Sequence, residues 1–129
     1  MEDCPFCGPK FDKRVFLAEA SMVAIKDNFP VTEGHTLIVP RRHTPDYFDL
    51  DGTERADLSD LLFATSNALT LEDSTIEGFN IGVNVGEVAG QTVPHVHVHL
   101  IPRRPRDVEE PRGGVRGVIP PARSTDADL

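Results

Sequence analysis

What this chain has little of narrows it before any motif is read. Cysteine occurs only at Cys4 and Cys7. That is too few for a disulfide-stapled secreted scaffold, so the pair reads as a metal half-site or a redox pair. No apolar run approaches the ~20 residues of a membrane span, and the charged N-terminus carries no secretory apolar core. The expectation is a cytoplasmic protein with no membrane partner. Basic residues are also scarce, at 13 Lys and Arg against 21 Asp and Glu, a formal net charge of −8. Binding a nucleic-acid polymer rests on many basic contacts to phosphate, so such a partner is not expected. Internal repeats are absent. At 129 residues, 39% hydrophobic and 26% charged, the chain has the size and composition of one soluble domain with a real core. That domain is expected over residues 1–120. The polar, non-periodic stretch 121–129 is expected to be a disordered tail.

The charges that are present are unevenly placed. Residues 46–77 hold Asp46, Asp49, Asp51, Glu54, Asp57, Asp60, Glu72, Asp73 and Glu77 against Arg55 alone. Arg103, Arg104, Arg106, Arg112 and Arg116 crowd towards the other end, a basic patch that suits a small anionic ligand. Apolar patterning predicts strands over residues 14–20 and 22–26 as a hairpin, then over 35–40, with a loop at 27–34 where Asn28, Pro30 and Gly34 fall. A short helical turn is expected around 46–48. One long helix is predicted over 53–71. Asp51 and Glu54 give it a capping-box start; Leu58, Leu61, Leu62, Thr65, Ala68 and Leu69 form its core face. Residues 78–85 alternate as a fourth strand. The order of elements indicates an α+β domain, a five-stranded antiparallel sheet with one long helix and a short one.

The densest chemistry lies in the fifth strand, predicted over 94–102. His95, His97 and His99 alternate with Val96, Val98 and Leu100, so on a strand the three imidazoles share one face and the apolar residues take the other. Affinity tags are contiguous, whereas these histidines are interleaved with core residues. Burying unpaired imidazoles is costly, which points to function. Just upstream, residues 86–92 include Gly86 and Gly90, a loop able to offer backbone amides to an anion. Imidazole near neutral pH serves as nucleophile, acid, base or metal ligand. The residue pattern alone does not say which imidazole attacks.

The run Gly90, Gln91, Thr92, Val93, Pro94, His95, Val96, His97, Val98, His99, Leu100, Ile101, Pro102, Arg103 resembles the signature of the histidine triad (HIT) nucleotide hydrolases and transferases. The later run from Pro111 to Pro120, with Gly113, Gly114 and Gly117, is similar to the tail of the branch that cleaves diadenosine polyphosphates. The resemblance covers about residues 4–120 and implies a HIT-like fold whose sheets pair in a homodimer. By the same resemblance His97 is the nucleophile that attacks an α-phosphate and carries a covalent nucleotidyl group. His99 contacts the phosphate, and Gln91 lies near the bridging oxygen and the attacking water. Thr92 and Asn84 touch phosphate oxygens, Asp27 holds ribose hydroxyls, and His35 orients the triad. Bacterial-type relatives complete a structural zinc site with two histidines, which here implies Cys4, Cys7, His43 and His95. No organic cofactor is expected.

These readings converge on a nucleotidyl hydrolase acting on diadenosine polyphosphates or related anhydrides, with a purine nucleotide or dinucleoside polyphosphate as partner. A purine nucleoside phosphoramidase cleaving AMP-amines is the runner-up. A nucleotide-binding regulatory protein with incidental turnover, or a zinc-binding interaction module, stands further off.

Overall fold

A computed structural model describes residues 4–8, 11 and 13–120; the tail at 121–129 lies outside the described residues. The long helix, α1 (Gly52–Glu72), begins where its capping box predicts. The Asp51 side chain accepts from the Glu54 amide at 2.8 Å, and Glu54 accepts from the Asp51 amide at 2.9 Å. Glu54 is itself buried, and its charge is met by Arg42, whose Nη2 donates to it at 2.8 Å. The Arg42 hydrogen bond holds the Glu54 carboxyl below its usual range. Leu58, Leu61, Thr65 and Leu69 form the buried face, while Leu62 and Ala68 are half-buried flanks. Truncating a buried leucine such as Leu61 to alanine removes about 2–5 kcal/mol. The expected short helix at 46–48 is a 3-10 turn over Tyr47–Asp49, capped by Asp46.

The strands are β1 (Val15–Ala18), β2 (Met22–Lys26), β3 (Thr36–Pro40), β4 (Gly78–Val83) and β5 (Val98–Arg103). They form one antiparallel sheet in the order β1-β2-β3-β5-β4. α1 covers one face, where Met22, Ala24, Ile38, Leu58, Leu61, Val96 and Val98 pack together. On the opposite face Phe6 and Phe11 of the N-terminal segment pack on Val23, Ile25, Leu37 and Val39. That cover reaches the β1–β3 half of the sheet. Beyond it lie the outward-facing residues of β5 and β4.

The fifth strand is shorter at its start than its alternation predicts. Pro94 offers no amide, the His95 amide bonds to Val93 O at 2.8 Å, and the Val96 amide bonds to Thr44 O at 2.8 Å. The ladder therefore opens only at Val98; His95 ends a bend over 93–95, and His97 lies on the irregular approach to the strand. The alternation survives this change, because Val96, Val98 and Leu100 are all buried. Gly34 closes the β2–β3 loop at φ +92°, where a Cβ would also stand 3.2 Å from the Pro102 ring; a side chain there would meet both backbone strain and a clash.

Candidate active site and metal cluster

The three histidines form a row. The ring of Phe6 lies 5.7 Å from that of His95 and 5.2 Å from that of His97, and the His97 and His99 rings are 5.3 Å apart. Backbone groups fix which nitrogen of each ring carries the proton. His97 Nδ1 sits 2.9 Å from His95 O, and only a protonated nitrogen donates to a carbonyl. Nε2 is left as the lone pair, in a ring that lines a cavity of about 270 Å³. His95 is set the same way, with Nε2 donating to Pro40 O at 2.8 Å, so its lone pair is on Nδ1.

His35 is set by accepting a backbone amide, not by donating to a carbonyl. Its Nδ1 accepts the Val31 amide at 3.1 Å, so its proton is on Nε2, which lies 2.9 Å from His99 Nδ1 and 3.4 Å from Asp27 Oδ2. Donation to His99 Nδ1 leaves His99 with its proton on Nε2, a donor for the cavity that His99 also lines. Asp27, His35 and His99 lie close enough to hold a metal ion, but this chain of tautomers accounts for their convergence without one. The site thus presents a nucleophilic nitrogen on His97 beside a donor on His99.

Burial holds both His35 and His99 below the usual imidazole range; for His99 the neighbouring His97 and His35 add to it, while Asp27 opposes it for both. As pH falls below about 6.5, the ordinary value, the unfolded chain takes up protons that the native pair refuses. Stability is therefore complete above that value and falls on acidification until the depressed native values are passed. Urea midpoints between pH 8 and pH 5 should drop more steeply for wild type than for His35→Gln. Equal slopes would show that the pair does not carry the dependence.

Apart from Leu37 of β3, the remaining cavity residues come from irregular segments. Asp27 and Thr92 line it, together with Phe6, Arg14, Phe29, Leu37 and Val93. Asp27 Oδ1 accepts the Phe29 amide at 2.9 Å, and Phe29 is 85% exposed at the rim. Phe6, Arg14 and Phe29 escaped the sequence reading because no periodicity marks them. A phenylalanine between two cysteines, and another within a loop bearing Asn28 and Pro30, were the signals available. Asn84 stands outside the cavity lining, beside the glycine loop, its Nδ2 3.7 Å from where a Cβ on Gly90 would be.

Two expectations are narrowed by the structure. Four amides of the glycine loop are engaged within it: Ala89 on Gly86 O, Gly90 on Glu87 O, Gln91 on Gly86 O, and Gly86 on the Gln91 side chain at 2.9 Å; those of Glu87, Val88 and Thr92 take no part in these bonds. The Gln91 amide group also donates to Pro45 O and Val93 O at 2.8 and 3.1 Å, so in this structure it staples the loop. Two of the five arginines of the basic patch are neutralised by internal pairs. Arg103 is paired with Asp107 and Arg104 with Asp73. The Thr75 hydroxyl and Arg104 hold the Asp73 carboxyl down to about 2. Among the described residues, the guanidinium lining the His97 cavity is that of Arg14.

Cys4, Cys7, His43 and His95 come together as a second cluster, with all four ligand atoms within 4.8 Å of one another. Three of the four S···N separations are 3.4, 3.5 and 3.6 Å, and the two Nδ1 atoms are 3.1 Å apart. A tetrahedral zinc with ordinary bond lengths has S···N edges of about 3.5 Å and N···N edges of about 3.3 Å. The donor set fits. His95 turns a lone pair inward because Pro40 O has taken its other nitrogen, the outer-shell contact expected of a metal-ligating histidine. Burial, followed by the neighbouring Cys4 thiol, pushes the Cys7 thiol up, an arrangement that a cation would reverse.

The HIT domain family profile matches residues 9–106. The chain belongs to the HIT family. Bis(5'-nucleosyl)-tetraphosphatase [asymmetrical] of Schizosaccharomyces pombe is 37% identical over 97 residues, covering 75% of this chain and 53% of that protein. The bifunctional bis(5'-adenosyl)-triphosphatase/adenylylsulfatase of Arabidopsis thaliana is 38% identical over 106 residues, 80% of this HIT chain and 58% of that protein. This chain therefore spans a little over half the length of these two relatives. Among solved structures, a zinc-bound histidine triad protein from Mycobacterium smegmatis superposes with a TM-score of 0.72 at 31% identity, over 82% of this chain and 78% of that one.

Proposed function

We propose that this HIT-family chain is a nucleotide hydrolase that cleaves dinucleoside polyphosphates at the α-phosphate. The observation that carries the reading is the pair of opposite tautomers: His97 held with Nε2 unprotonated and His99 held with Nε2 protonated, both lining one cavity. The cavity, at about 270 Å³, suits one nucleoside. Phe6, Phe29, Leu37 and Val93 supply apolar walls for a purine, and the Asp27 carboxylate accepts from two vicinal ribose hydroxyls. His97 Nε2 attacks the α-phosphorus, forming a P–N bond as the bond to the bridging oxygen breaks and the second nucleotide leaves. Charge building on the phosphate oxygens meets the His99 N–H and the Thr92 hydroxyl. Water then attacks the same phosphorus, the P–N bond breaks, and a nucleoside monophosphate is released. Gln91 and Asn84 act at the edge of this site, through the loop they hold and flank.

Relatives named as tetraphosphatase and triphosphatase support the substrate class. A panel of diadenosine polyphosphates and an AMP-amine, compared by kcat/KM, tests it. Diadenosine compounds should be the better substrates. A preference for the AMP-amine would make the chain a phosphoramidase.

Zinc at Cys4, Cys7, His43 and His95 is part of the same reading, in a structural role that fixes the N-terminal segment and the His95 end of the triad. So is a symmetric homodimer, C2 being the commonest closed arrangement. β4 is a sheet edge; its Ile81, opposite Leu100 on the helix-bearing face, is 52% exposed, and Phe63 on α1 is 72% exposed. Exposed edges of this kind call for cover. Light scattering at micromolar concentration should give a dimer mass, and Ile81→Lys should halve it. A monomeric wild type would contradict the arrangement.

A further inference from the structure

A second cavity, of about 290 Å³, lies further along the face of the sheet that carries His99. Ile101 and Arg103 alternate with buried Leu100 and Pro102, so they share His99's face, and both line this cavity. Asn80, directly opposite Ile101, lines it too, with Val31 and Val108 as walls. The catalytic cavity is walled by Asp27, Asn28 and Phe29 and this one by Val31 and Thr32, so one loop borders both. Between them Gly82, opposite His99, has nothing within 4 Å of where its Cβ would stand. The floor from His99 towards Asn80 is open.

Arg103 has the charge of an anion binder but not the freedom of one. Its Nε and Nη2 each donate to Asp107 at 2.8 Å, and Nη1 donates to Asn80 Oδ1 at 2.7 Å. These in-plane bonds match its charge and lock its plane, which leaves the flat face of the guanidinium as its free surface. Such a face stacks on planar π systems. Asn80, its oxygen taken by Arg103, keeps its Nδ2 donors for a ring nitrogen or carbonyl. Gly114, at φ +46°, passes that amide at a point where a Cβ would stand 3.4 Å from Nδ2. A locked guanidinium, three aliphatic side chains and one amide suit a heterocyclic base better than a phosphate.

We propose that this cavity is the subsite for the base of the leaving nucleotide, joined to the scissile phosphate by a bridge that crosses over Gly82. The proposal rests on reading the His97 cavity as the site of the first nucleoside. Arg103 is four residues beyond His99, roughly 13 Å along the strand, so substrates with longer phosphate bridges reach it best. No described residue of the tail run from Pro111 onwards lines the His97 cavity, yet Pro111 and Gly114 line this one. Its place in the molecule is then to wall the second base.

The test uses zinc-replete full-length protein carrying His97→Asn, so that ligands persist. Diadenosine tetraphosphate and adenosine tetraphosphate, which have equal phosphate number but differ by one nucleoside, are titrated by calorimetry. The dinucleoside should bind at least tenfold tighter. That advantage should fall at least fivefold with Ile101→Ser and, separately, with Arg103→Lys, while adenosine tetraphosphate affinity stays within twofold. Circular dichroism identifies a variant that fails to fold, and the other then carries the test. Equal affinities, or an advantage that survives both substitutions, would overturn the subsite. Turnover of diadenosine tetraphosphate by wild type alongside equal affinities would leave the catalytic reading standing and remove only the subsite. Failure of both ligands to bind, with no turnover, would remove both.

Discussion

His97→Asn should lose turnover on the order of 10⁴-fold or more while binding nucleotide normally. The size follows from removing the atom that forms the bond to phosphorus, since loss of a covalent nucleophile costs this much in comparable cases. Asparagine preserves the local fold because its side-chain amide can still donate to His95 O, the bond His97 Nδ1 now makes at 2.9 Å. Gln91→Ala should cost far less. Its amide braces Gly86, Pro45 and Val93, so its loss loosens a loop without deleting a reacting atom. kcat and KM for both variants, with binding checked by calorimetry, decide this. A His97→Asn enzyme with near-normal turnover would mean that another group attacks.

The second large effect is on metal and stability. Purified protein should carry about one zinc per chain, and Cys4→Ser or His43→Ala should abolish it. Metal binding stabilises the folded state that holds the site; a loss of ~3 kcal/mol in a domain of this size lowers Tm by roughly 10 °C. The effect should reach the active site, because His95 belongs to both assemblies. Its Nδ1 faces the cysteines while its carbonyl holds the proton of His97. Metal content by mass spectrometry and melting curves check this. Metal-free protein, with both variants melting as wild type does, would count against the site and leave His95 to the triad alone.

Short-range chemistry was legible in the sequence. Asp51 and Glu54 marked the start of α1 because a capping box is a four-residue interaction, and the alternation around the histidines marked a row of imidazoles because side-chain direction follows local backbone. The α+β architecture followed from the order of such elements. Whatever depended on partners distant in sequence was hidden. Arg104 meets Asp73 and the carbonyl of Glu33, and Arg103 meets Asp107, so two arginines of a run that reads as a basic patch are spent on internal pairs. The start of β5 was misplaced because Val96 finds Thr44 rather than a strand. In the glycine loop the Gly86 amide is engaged by the Gln91 side chain, which is itself anchored on the distant carbonyl of Pro45. The 3-10 turn over Gly114–Val118 has no periodicity to announce it. The cysteine pair pointed to metal, but its partners His43 and His95 came from family resemblance; their meeting with Cys4 and Cys7 is a fact of the fold.

The central claim is that His97 Nε2 becomes covalently bonded to the α-phosphorus. Wild-type protein mixed briefly with diadenosine polyphosphate and denatured at alkaline pH, where phosphohistidine bonds survive better, should gain the mass of one adenylyl group. Fragmentation should place it on His97, and His97→Asn should show none. An adduct on His95 or His99, or a wild type that turns over rapidly with no adduct at any quench time, would contradict the account.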